Sequence, residues 1–358
     1  IFCMSKNTPP DYWKGRGAQI NPAGPYAQMI YDSEPVAEEE DERNLKTEYL
    51  EVHPKTILNK VESPDIGLGY SMNPYQGCEH GCVYCYARNT HPYWGYSAGM
   101  EFEQKILYKL NAAQLLEEQI RKPNWQPMPV MLSGNTDCYQ PIEKKLKLTR
   151  QILEVLWKYR HPVGIITKNS LILRDLDLLT QLATCQLVKV SISVTTLDES
   201  LRRALEPRTA SVKSRLSAIR TLSQHGIPVN VMLAPIIPGL NDHEILEMAK
   251  AVSEAGAQSI YYTVVRLNGD VAEIFKDWIE KNRPDRADRV LNRIRDCHGG
   301  QLNDSRFKTR MTGEGNIAEM IRQQYELAKR LYFKDKSTTP YNLELHRQLK
   351  APPQLSLF

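Results

Sequence analysis

After Pro64 the pattern of hydrophobic and polar positions becomes periodic and alternates between two kinds of segment. Short, almost wholly apolar runs rich in Val and Ile predict strands that are buried on both faces. The longer segments between them carry apolar residues at helical spacing, which predicts amphipathic helices. The six predicted strands lie in IGLGYSM, QPMPVMLSG, PVGIITKNS, LVKVSISVTT, PVNVMLAPIIPG and SIYYTVVRL.

Strands that alternate with helices in this way predict a parallel α/β fold. Six strands are two fewer than a closed eight-stranded barrel requires. We therefore predict a partial (β/α)6 parallel barrel over residues 64–269.

The segments on either side of the predicted barrel have a different character. Residues 1–63 contain frequent Pro and Gly and an acidic run, EEEDER, which together predict an irregular N-terminal arm. Residues 270–336 read as a helical extension, in which Asn316–Phe333 forms an amphipathic helix whose apolar positions include Met320 and Leu331. Residues 337–358 read as a linker and tail.

Composition narrows the class of protein only a little. The chain has 358 residues, 41% of them hydrophobic, and a net charge of +4, which permits a nucleic-acid partner without requiring one. The segment from Lys276 to Lys350 is more basic, with 17 Lys and Arg against 11 Asp and Glu. No apolar run approaches the roughly 18 residues that cross a bilayer, and the seven cysteines do not form a secretory disulfide pattern. We expect a cytoplasmic protein without a membrane segment.

Three cysteines, Cys78, Cys82 and Cys85, lie in the stretch NPYQGCEHGCVYCYARNTH with the spacing C-x3-C-x2-C. The stretch follows the first predicted strand, at the barrel end where active sites assemble. Three interpretations compete: a zinc ion with His80 as fourth ligand, a disulfide with one cysteine left over, or a [4Fe–4S] cluster with one iron lacking a protein ligand.

This spacing after the first strand of a β/α barrel resembles the signature of radical S-adenosylmethionine (SAM) enzymes. The resemblance implies that the three thiolates hold a [4Fe–4S] cluster and that SAM binds the open iron through its amino and carboxylate groups. Reductive cleavage of SAM then gives a 5′-deoxyadenosyl radical. Tyr84 stands where the family places an aromatic residue against the adenine.

The motifs CVYCYAR, SGNTD, ITKNS and EPRTASVKSRLSAIRTLSQHGIPVNVMLAPIIPG resemble the spore photoproduct lyase-like branch of that family. The resemblance covers about Pro64 to Leu267 and implies that Tyr84 and Tyr86 relay a hydrogen atom; packing around the cluster is the alternative role. The lyases also use a cysteine hydrogen donor shortly after the second strand. Here Gly134 occupies the expected place, and the offset Cys138 is either the donor or a buried small side chain.

The same resemblance implies a set of SAM-binding residues. Lys168, after the third strand, would pair with the SAM carboxylate, although a surface lysine is the alternative. Arg208 would bind that carboxylate or a substrate phosphate, and its alternative is an ion pair with Glu206 or another acid. The remaining candidates follow the second strand or share one face of the fourth: Ser133, Gly134, Asn135, Thr136, Ser191 and Ser193.

The chain ends in QLSLF, which resembles the peptide by which bacterial repair and replication proteins bind the sliding clamp. The resemblance implies docking of an extended tail in an apolar pocket, and packing against the protein's own barrel is the alternative. The partner-binding candidates are Gln354, Leu355, Ser356, Leu357 and Phe358.

Together these features predict a radical SAM enzyme acting on damaged DNA bases, tethered to the sliding clamp and supplied with electrons by a flavodoxin or ferredoxin. Two other functions stay open at this point. One is a radical SAM enzyme that modifies RNA, a peptide or a small molecule. The other is a non-catalytic iron–sulfur redox sensor associated with DNA or the clamp.

Overall fold

The computed structural model describes residues 12–22, 46–65 and 69–350, with ten strands and twelve α-helices in this part of the chain. The strands are β1 Glu48–Glu51, β2 Leu58–Lys60, β3 Tyr70–Met72, β4 Tyr75–Gln76, β5 Lys105–Tyr108, β6 Val130–Leu132, β7 Val163–Thr167, β8 Val188–Ser193, β9 Val229–Ile236 and β10 Ser259–Val264. The helices are α1 Glu101–Gln104, α2 Ala112–Arg121, α3 Glu143–Leu146, α4 Leu148–Lys158, α5 Leu176–Thr184, α6 Glu199–Leu205, α7 Val212–Gln224, α8 Ile245–Glu254, α9 Val271–Asn282, α10 Ala287–Cys297, α11 Gly315–Tyr332 and α12 Glu344–Lys350.

The main sheet has seven strands in the order β10-β9-β8-β7-β6-β3-β2. From β3 to β10 every neighbouring pair is parallel, whereas the edge strand β2 runs antiparallel to β3. Six parallel strands in chain order, with helices between them, confirm the predicted partial (β/α)6 barrel. Among the described residues, the two outermost strands do not pair with each other, so one side of the barrel is open.

Each central strand separates a hydrophobic core from the concave interior of the barrel. In β8, Val188, Val190 and Ile192 lie in the main core between the sheet and the helices. Because side chains alternate between the two faces of a strand, Ser191 and Ser193 face the concave interior.

The N-terminal arm is less irregular than predicted, because its described part contributes β1 and β2. Strand β1 pairs in parallel with β5, which pairs antiparallel with β4 in a second, three-stranded sheet. Both arm strands are only three or four residues long and mostly exposed. Their side chains therefore carry no apolar alternation that would predict a strand.

The C-terminal extension is helical, as expected, and α11 packs on the barrel. Its buried face consists of Ala318, Ile321, Tyr325 and Ala328, and the Tyr325 hydroxyl donates to the Ile260 carbonyl of β10 at 2.7 Å. The prediction that Met320 and Leu331 belong to this face is wrong, since both are largely exposed. The tyrosine ring provides the packing surface instead.

Residues 337–350, predicted as linker, cross the end of the barrel at which its strands begin. The backbone N–H of Asn342 donates to Gln186 just before β8, and His346 Nδ1 lies 2.6 Å from the Tyr159 carbonyl oxygen between α4 and β7. Helix α12 is thus fixed at the end opposite the strands' carboxyl termini. The tail Gln354–Phe358 lies outside the described residues. Of the helices described, none has both the length and the apolar character needed to cross a membrane.

Candidate active site

The three clustered cysteines lie on the loop that follows β4, at the carboxyl end of the parallel strands. Cys78 and Cys82 are buried and Cys85 is partly buried, and all three are free thiols. The loop turns through Gly77 and Gly81, whose φ angles of 77° and 69° are readily adopted only by glycine. The sequence therefore folds this segment into a compact, thiol-lined loop at the barrel mouth.

A buried ion pair between Arg88 and Glu103 anchors the cysteine loop to neighbouring segments. The Arg88 guanidinium donates to the Cys82 carbonyl at 3.0 Å and to the Glu103 carboxylate at 2.5 Å. Glu103 also accepts the backbone N–H groups of Gly17 and Ala18 at 3.0 and 2.8 Å. The pair thus connects the loop to both α1 and the N-terminal arm, and the motif did not predict it.

The thiols lie close enough to influence one another's protonation. Burial raises the pKa of Cys78 well above its usual range, and Asp137, Cys82 and Cys85 raise it further. Burial and Glu206 likewise raise the pKa of Cys82, against an opposing effect of Lys168. Raised pKa values favour the protonated thiols, whereas a bound metal would stabilise the thiolates and lower these pKa values. Three thiols clustered in this way therefore fit the ligands of a metal cluster.

His80 does not serve the thiols as a fourth ligand, because its ring nitrogens face other side chains. Its Nδ1 atom lies 3.4 Å from the Asp137 carboxylate, and its Nε2 atom lies 3.2 Å from the Asn169 amide nitrogen. Within the described ranges, no three His, Cys, Asp or Glu side chains are arranged to hold one metal ion. A [4Fe–4S] cube does not need such convergence, since each thiolate binds a separate iron.

Tyr84 is buried beside the cysteine loop in a network of hydrogen bonds and charges. Its hydroxyl donates to Glu206, whose other carboxylate oxygen accepts from Arg215. Thr195 donates to the same Glu206 oxygen as Tyr84, at 2.7 Å. The Lys168 ammonium group lies 5.9 Å from the centre of the Tyr84 ring. The structure therefore brings together the predicted Tyr84 and Lys168 at the mouth.

Two cations, Arg215 and Lys168, act on the single carboxylate of this network. Burial alone would raise the pKa of Glu206, but Arg215 and Lys168 lower it to about 2. Burial would lower the pKa of Lys168, whereas Cys82 and Glu206 raise it above its usual value. Lys168 is consequently a cation beside the thiols, where it suits a carboxylate ligand. Sequence reasoning considered Glu206 only as a partner of Arg208 and missed Arg215 and Thr195.

The loop after β6 approaches the cysteine loop closely at Gly134. The Tyr86 hydroxyl donates to the Gly134 carbonyl at 2.5 Å. A Cβ atom at this glycine would lie 2.8 Å from the Cβ of Ser71, so a larger residue would push β3 away. Ser133 has a left-handed φ of 72°, and its hydroxyl accepts the backbone N–H of Cys138 at 2.7 Å.

The next two candidates use their side chains to brace the same region. Asn135 donates its side-chain amide to Gln76 and Thr90 at 3.3 and 3.0 Å. The Thr136 hydroxyl donates to the Tyr75 carbonyl at 2.6 Å. These contacts hold the loop after β6 against the segment that carries the cysteines.

Tyr86 and Cys138, the two alternative hydrogen donors, have opposite environments. Tyr86 is 52% exposed at the mouth, whereas Cys138 is 0% exposed and belongs to the main hydrophobic core. Burial also raises the pKa of the Cys138 thiol well above its usual range. Tyr86 is thus open to a substrate at the mouth, and Cys138 has the surroundings of a packed small side chain.

Arg208 contacts the N-terminal arm and the cysteine loop. It donates to the Gly15 carbonyl at 3.1 Å, and its guanidinium lies 4.0 Å from the Glu79 carboxylate. The acid beside it is therefore Glu79, while Glu206 pairs with Arg215.

Comparison with known proteins identifies a family over half of the chain. The model of the Radical SAM superfamily matches residues 72–252. The uncharacterized protein Rv2578c of Mycobacterium tuberculosis is 33% identical over 244 residues, which cover 67% of this chain and 72% of that protein. The uncharacterized protein MJ0683 of Methanocaldococcus jannaschii is 30% identical over 250 residues, covering 70% and 89% respectively.

Among solved structures, this chain resembles spore photoproduct lyase. The complex of that enzyme with dinucleoside spore photoproduct matches with a TM-score of 0.59 and 15% identity, covering 86% of each chain. A mutant with bound AdoMet and the same dinucleoside matches with a TM-score of 0.57 and 15% identity, again over 86% of each. At these identities the likeness concerns the fold.

Proposed function

The chain belongs to the radical SAM superfamily, and on this premise we propose that it is a photoproduct lyase-like enzyme acting on damaged bases of DNA. The observation that carries the proposal is the fold match over 86% of each chain with a lyase bound to dinucleoside spore photoproduct. The partial barrel with three cysteines at its mouth fits any radical SAM enzyme and does not distinguish between substrates. The DNA substrate is the part of the proposal that goes beyond membership of the superfamily.

The protein side of the chemistry follows from the residues at the mouth. When bound, the [4Fe–4S] cluster and SAM supply a 5′-deoxyadenosyl radical that abstracts a hydrogen atom from the substrate. Cys78, Cys82 and Cys85 hold the cluster. Lys168 orients the SAM carboxylate by charge, and Tyr84 presents its ring to the adenine.

The other candidates have supporting roles in this proposal. Ser191 and Ser193, on the concave face of β8, bind polar groups of SAM. The loop from Ser133 to Thr136 shapes the wall next to them, and Arg208 meets the SAM carboxylate or a substrate phosphate.

We assign the return of a hydrogen atom to Tyr86 in preference to Cys138: its hydroxyl would give the atom to the product radical, and an electron from the reductant together with a proton would restore the tyrosine. Tyr86 is exposed at the mouth beside Cys85, whereas Cys138 is enclosed in the core. A thiol that no substrate reaches can act only after the loop moves, and the Ser133 hydrogen bond to the Cys138 backbone opposes that movement.

A base within duplex DNA must leave the stack before it enters a barrel mouth. Damaged bases are extruded more readily because their stacking and pairing are weakened. The proposed enzyme also needs a one-electron reductant, and a flavodoxin or ferredoxin is the expected donor. A second partner in this proposal is the bacterial sliding clamp, which would bind Gln354–Phe358 and bring the enzyme to DNA.

The test is anaerobic reconstitution with iron, sulfide, SAM and dithionite, followed by incubation with ultraviolet-irradiated DNA. We expect 5′-deoxyadenosine and loss of a defined photoproduct. The Tyr86→Phe variant should retain SAM cleavage and lose repair, whereas Cys138→Ser should retain most of both. Formation of 5′-deoxyadenosine without loss of any DNA photoproduct, but with modification of RNA or a peptide, would reject the DNA substrate. A reconstituted cluster without 5′-deoxyadenosine would support the redox-sensor alternative.

A further inference from the structure

A short basic loop, residues 304–310, lies along the open side of the barrel. The segments before and after it are hydrogen-bonded to the chain that leaves the last parallel strand. Leu267 donates its backbone N–H to Leu302 at 2.9 Å, and Val264 donates to Met311 at 2.8 Å. The 304–310 loop is therefore fixed next to the carboxyl end of β10.

The loop also reaches the other edge of the open barrel. Arg310 donates to the Asp65 carboxylate and the Ser63 hydroxyl, both at 2.6 Å. The backbone N–H of Lys308 donates to Asp65 at 2.9 Å. Because residues 63–65 follow the edge strand β2, the loop connects the two ends of the sheet across its gap.

This position is next to the cysteine site. Asn89, in the turn that begins with Tyr86, donates to the Asn268 carbonyl at 2.8 Å. Arg266 lies two residues earlier and is half-buried. Burial lowers the pKa of Arg266 and Arg310 lowers it further, whereas Tyr86 raises it. Arg266 thus lies close enough to Arg310 and Tyr86 for their charges to act on it.

The loop displays one aromatic side chain on a rigid support. Phe307 is 53% exposed, and the Arg310 guanidinium lies 4.5 Å from the centre of its ring. The buried carboxylate of Asp304 accepts from the Arg306 backbone and side chain and from the Thr309 hydroxyl at 2.9 to 3.2 Å. The hydrogen bonds around Asp304 hold the loop in a fixed shape, so the exposed ring is preorganised.

Lys308 follows Phe307 in the loop, and Arg266 lies close to Arg310. Arg306 is paired with Asp304 and Glu314, and Arg310 with Asp65. Within the described part of the chain, the Lys308 side chain makes no hydrogen bond or ion pair, and Arg266 makes neither, although the charges of Asp65 and Asp304 act on it. An exposed ring followed in the chain by the exposed Lys308 side chain complements a nucleobase and a neighbouring phosphate.

We propose that the 304–310 loop binds a single-stranded or extruded stretch of nucleic acid at the open side of the barrel. Phe307 stacks on a base, and Lys308 and Arg266 contact the flanking phosphates. This inference deepens the proposed function and rests on its nucleic-acid substrate. It adds the surface that holds the strand, outside the cysteine loop and the SAM-binding candidates.

The experiment measures binding of a short fluorescein-labelled oligothymidylate to the reconstituted full chain by fluorescence anisotropy at several salt concentrations. Phe307→Ala should weaken binding roughly tenfold, since base stacking on an aromatic ring is worth about 1–3 kcal/mol. Phe307→Tyr should bind like the unaltered protein. Lys308→Ala should lower the slope of log Kd against log salt by about 0.7, as expected for one lost phosphate contact on a single strand.

Matched control variants come from the outer surface of the C-terminal extension. Leu331→Ala removes another exposed apolar side chain, and Lys334→Ala removes another exposed cation. Both should leave binding and its salt dependence unchanged. Circular dichroism establishes that every variant is folded.

The outcomes separate this inference from the proposed function. Binding by the unaltered protein that Phe307→Ala and Lys308→Ala leave unchanged would overturn the role of the loop and leave the DNA substrate intact. Lack of binding to oligothymidylate, to a uridylate of equal length and to duplex DNA would overturn both, while 5′-deoxyadenosine formation would still establish the radical chemistry. Tighter binding of the uridylate would assign the loop to RNA and reject the DNA substrate.

Discussion

At the scale of single residues, the motif supplied the candidate ligands and gave no indication of the side chains that hold them in place. Spacing singles out Cys78, Cys82 and Cys85, and the resemblance adds Lys168; the mouth of a parallel barrel collects the residues that follow each strand. Glu206 and Arg215 are nine positions apart, and only the fold of the segment between α6 and α7 makes them a buried pair. Their pairing has no signal in the sequence.

The Glu206 carboxylate offers a residue-scale prediction. Glu206→Gln should lower the free energy of unfolding by about 3 kcal/mol, because removing one partner of a buried pair leaves an uncompensated charge on Arg215. Urea unfolding of the metal-free protein measures the change. Arg203→Gln, which removes a largely exposed guanidinium paired with Glu199, serves as the control and should cost at most about 1 kcal/mol. Equal effects of both variants would contradict the role of the Glu206 network.

His91 offers a second residue-scale prediction, based on pH. Burial lowers the pKa of His91 to about 4, below the value of about 6.5 expected in the unfolded chain. The unfolded state therefore binds the extra proton first as the pH falls. The contribution of His91 to the free energy of unfolding should be fully present above about pH 6.5 and should be lost as the pH falls to about 4.

The measurement is urea unfolding of the metal-free protein at several pH values between about 4 and 6.5. His91→Gln should flatten the decrease in the free energy of unfolding, because a neutral side chain replaces the titrating ring. His225→Gln, at an exposed helix end, should leave the curve unchanged. A curve that His91→Gln does not alter would contradict the assignment.

At the scale of secondary structure, periodicity predicted the six parallel strands because each has a strongly apolar face. It could not predict β1 and β2, which are short and exposed: β1 pairs with the distant β5, and β2 forms an antiparallel hairpin with β3. It also placed Met320 and Leu331 on the wrong face of α11, since the pattern did not count Tyr325 as a core residue.

The Arg88–Glu103 pair yields a prediction at this scale, because it joins the turn after the cysteines to α1. Glu103→Gln leaves Arg88 without its carboxylate and weakens the anchor of the Cys82 carbonyl. We expect loss of roughly 3 kcal/mol in the free energy of unfolding and a lower iron content after reconstitution. Iron and sulfide analysis measures the second effect.

The control for this variant is Lys105→Gln, which breaks a partly exposed pair with Glu48 on the second sheet. It should change stability by at most about 1 kcal/mol and leave iron content unaltered. Normal iron loading in Glu103→Gln would show that the loop keeps its shape without the buried pair.

At the scale of the whole molecule, the candidate site and the C-terminal segment lie at opposite ends of the barrel. The cysteines, Tyr84 and Lys168 gather where the parallel strands end. The segment before the tail is fixed where they begin, with the Lys189 ammonium group 4.7 Å from the centre of the Tyr341 ring. The last described residues therefore lie at the end of the barrel away from the mouth.

This arrangement gives the last prediction. Deleting Gln354–Phe358 should abolish binding to the bacterial sliding clamp and leave 5′-deoxyadenosine formation unchanged, because the residues of the mouth are untouched. Repair of a photoproduct on a circular DNA carrying a loaded clamp should slow, whereas repair of the same photoproduct in a short oligonucleotide should not. The difference arises because a tether raises the local concentration of enzyme only on DNA that bears the clamp. Phe358→Ala should reproduce the deletion and Ser356→Ala should not, since apolar side chains provide the docking energy. Clamp binding that survives the deletion would remove the tether from the function.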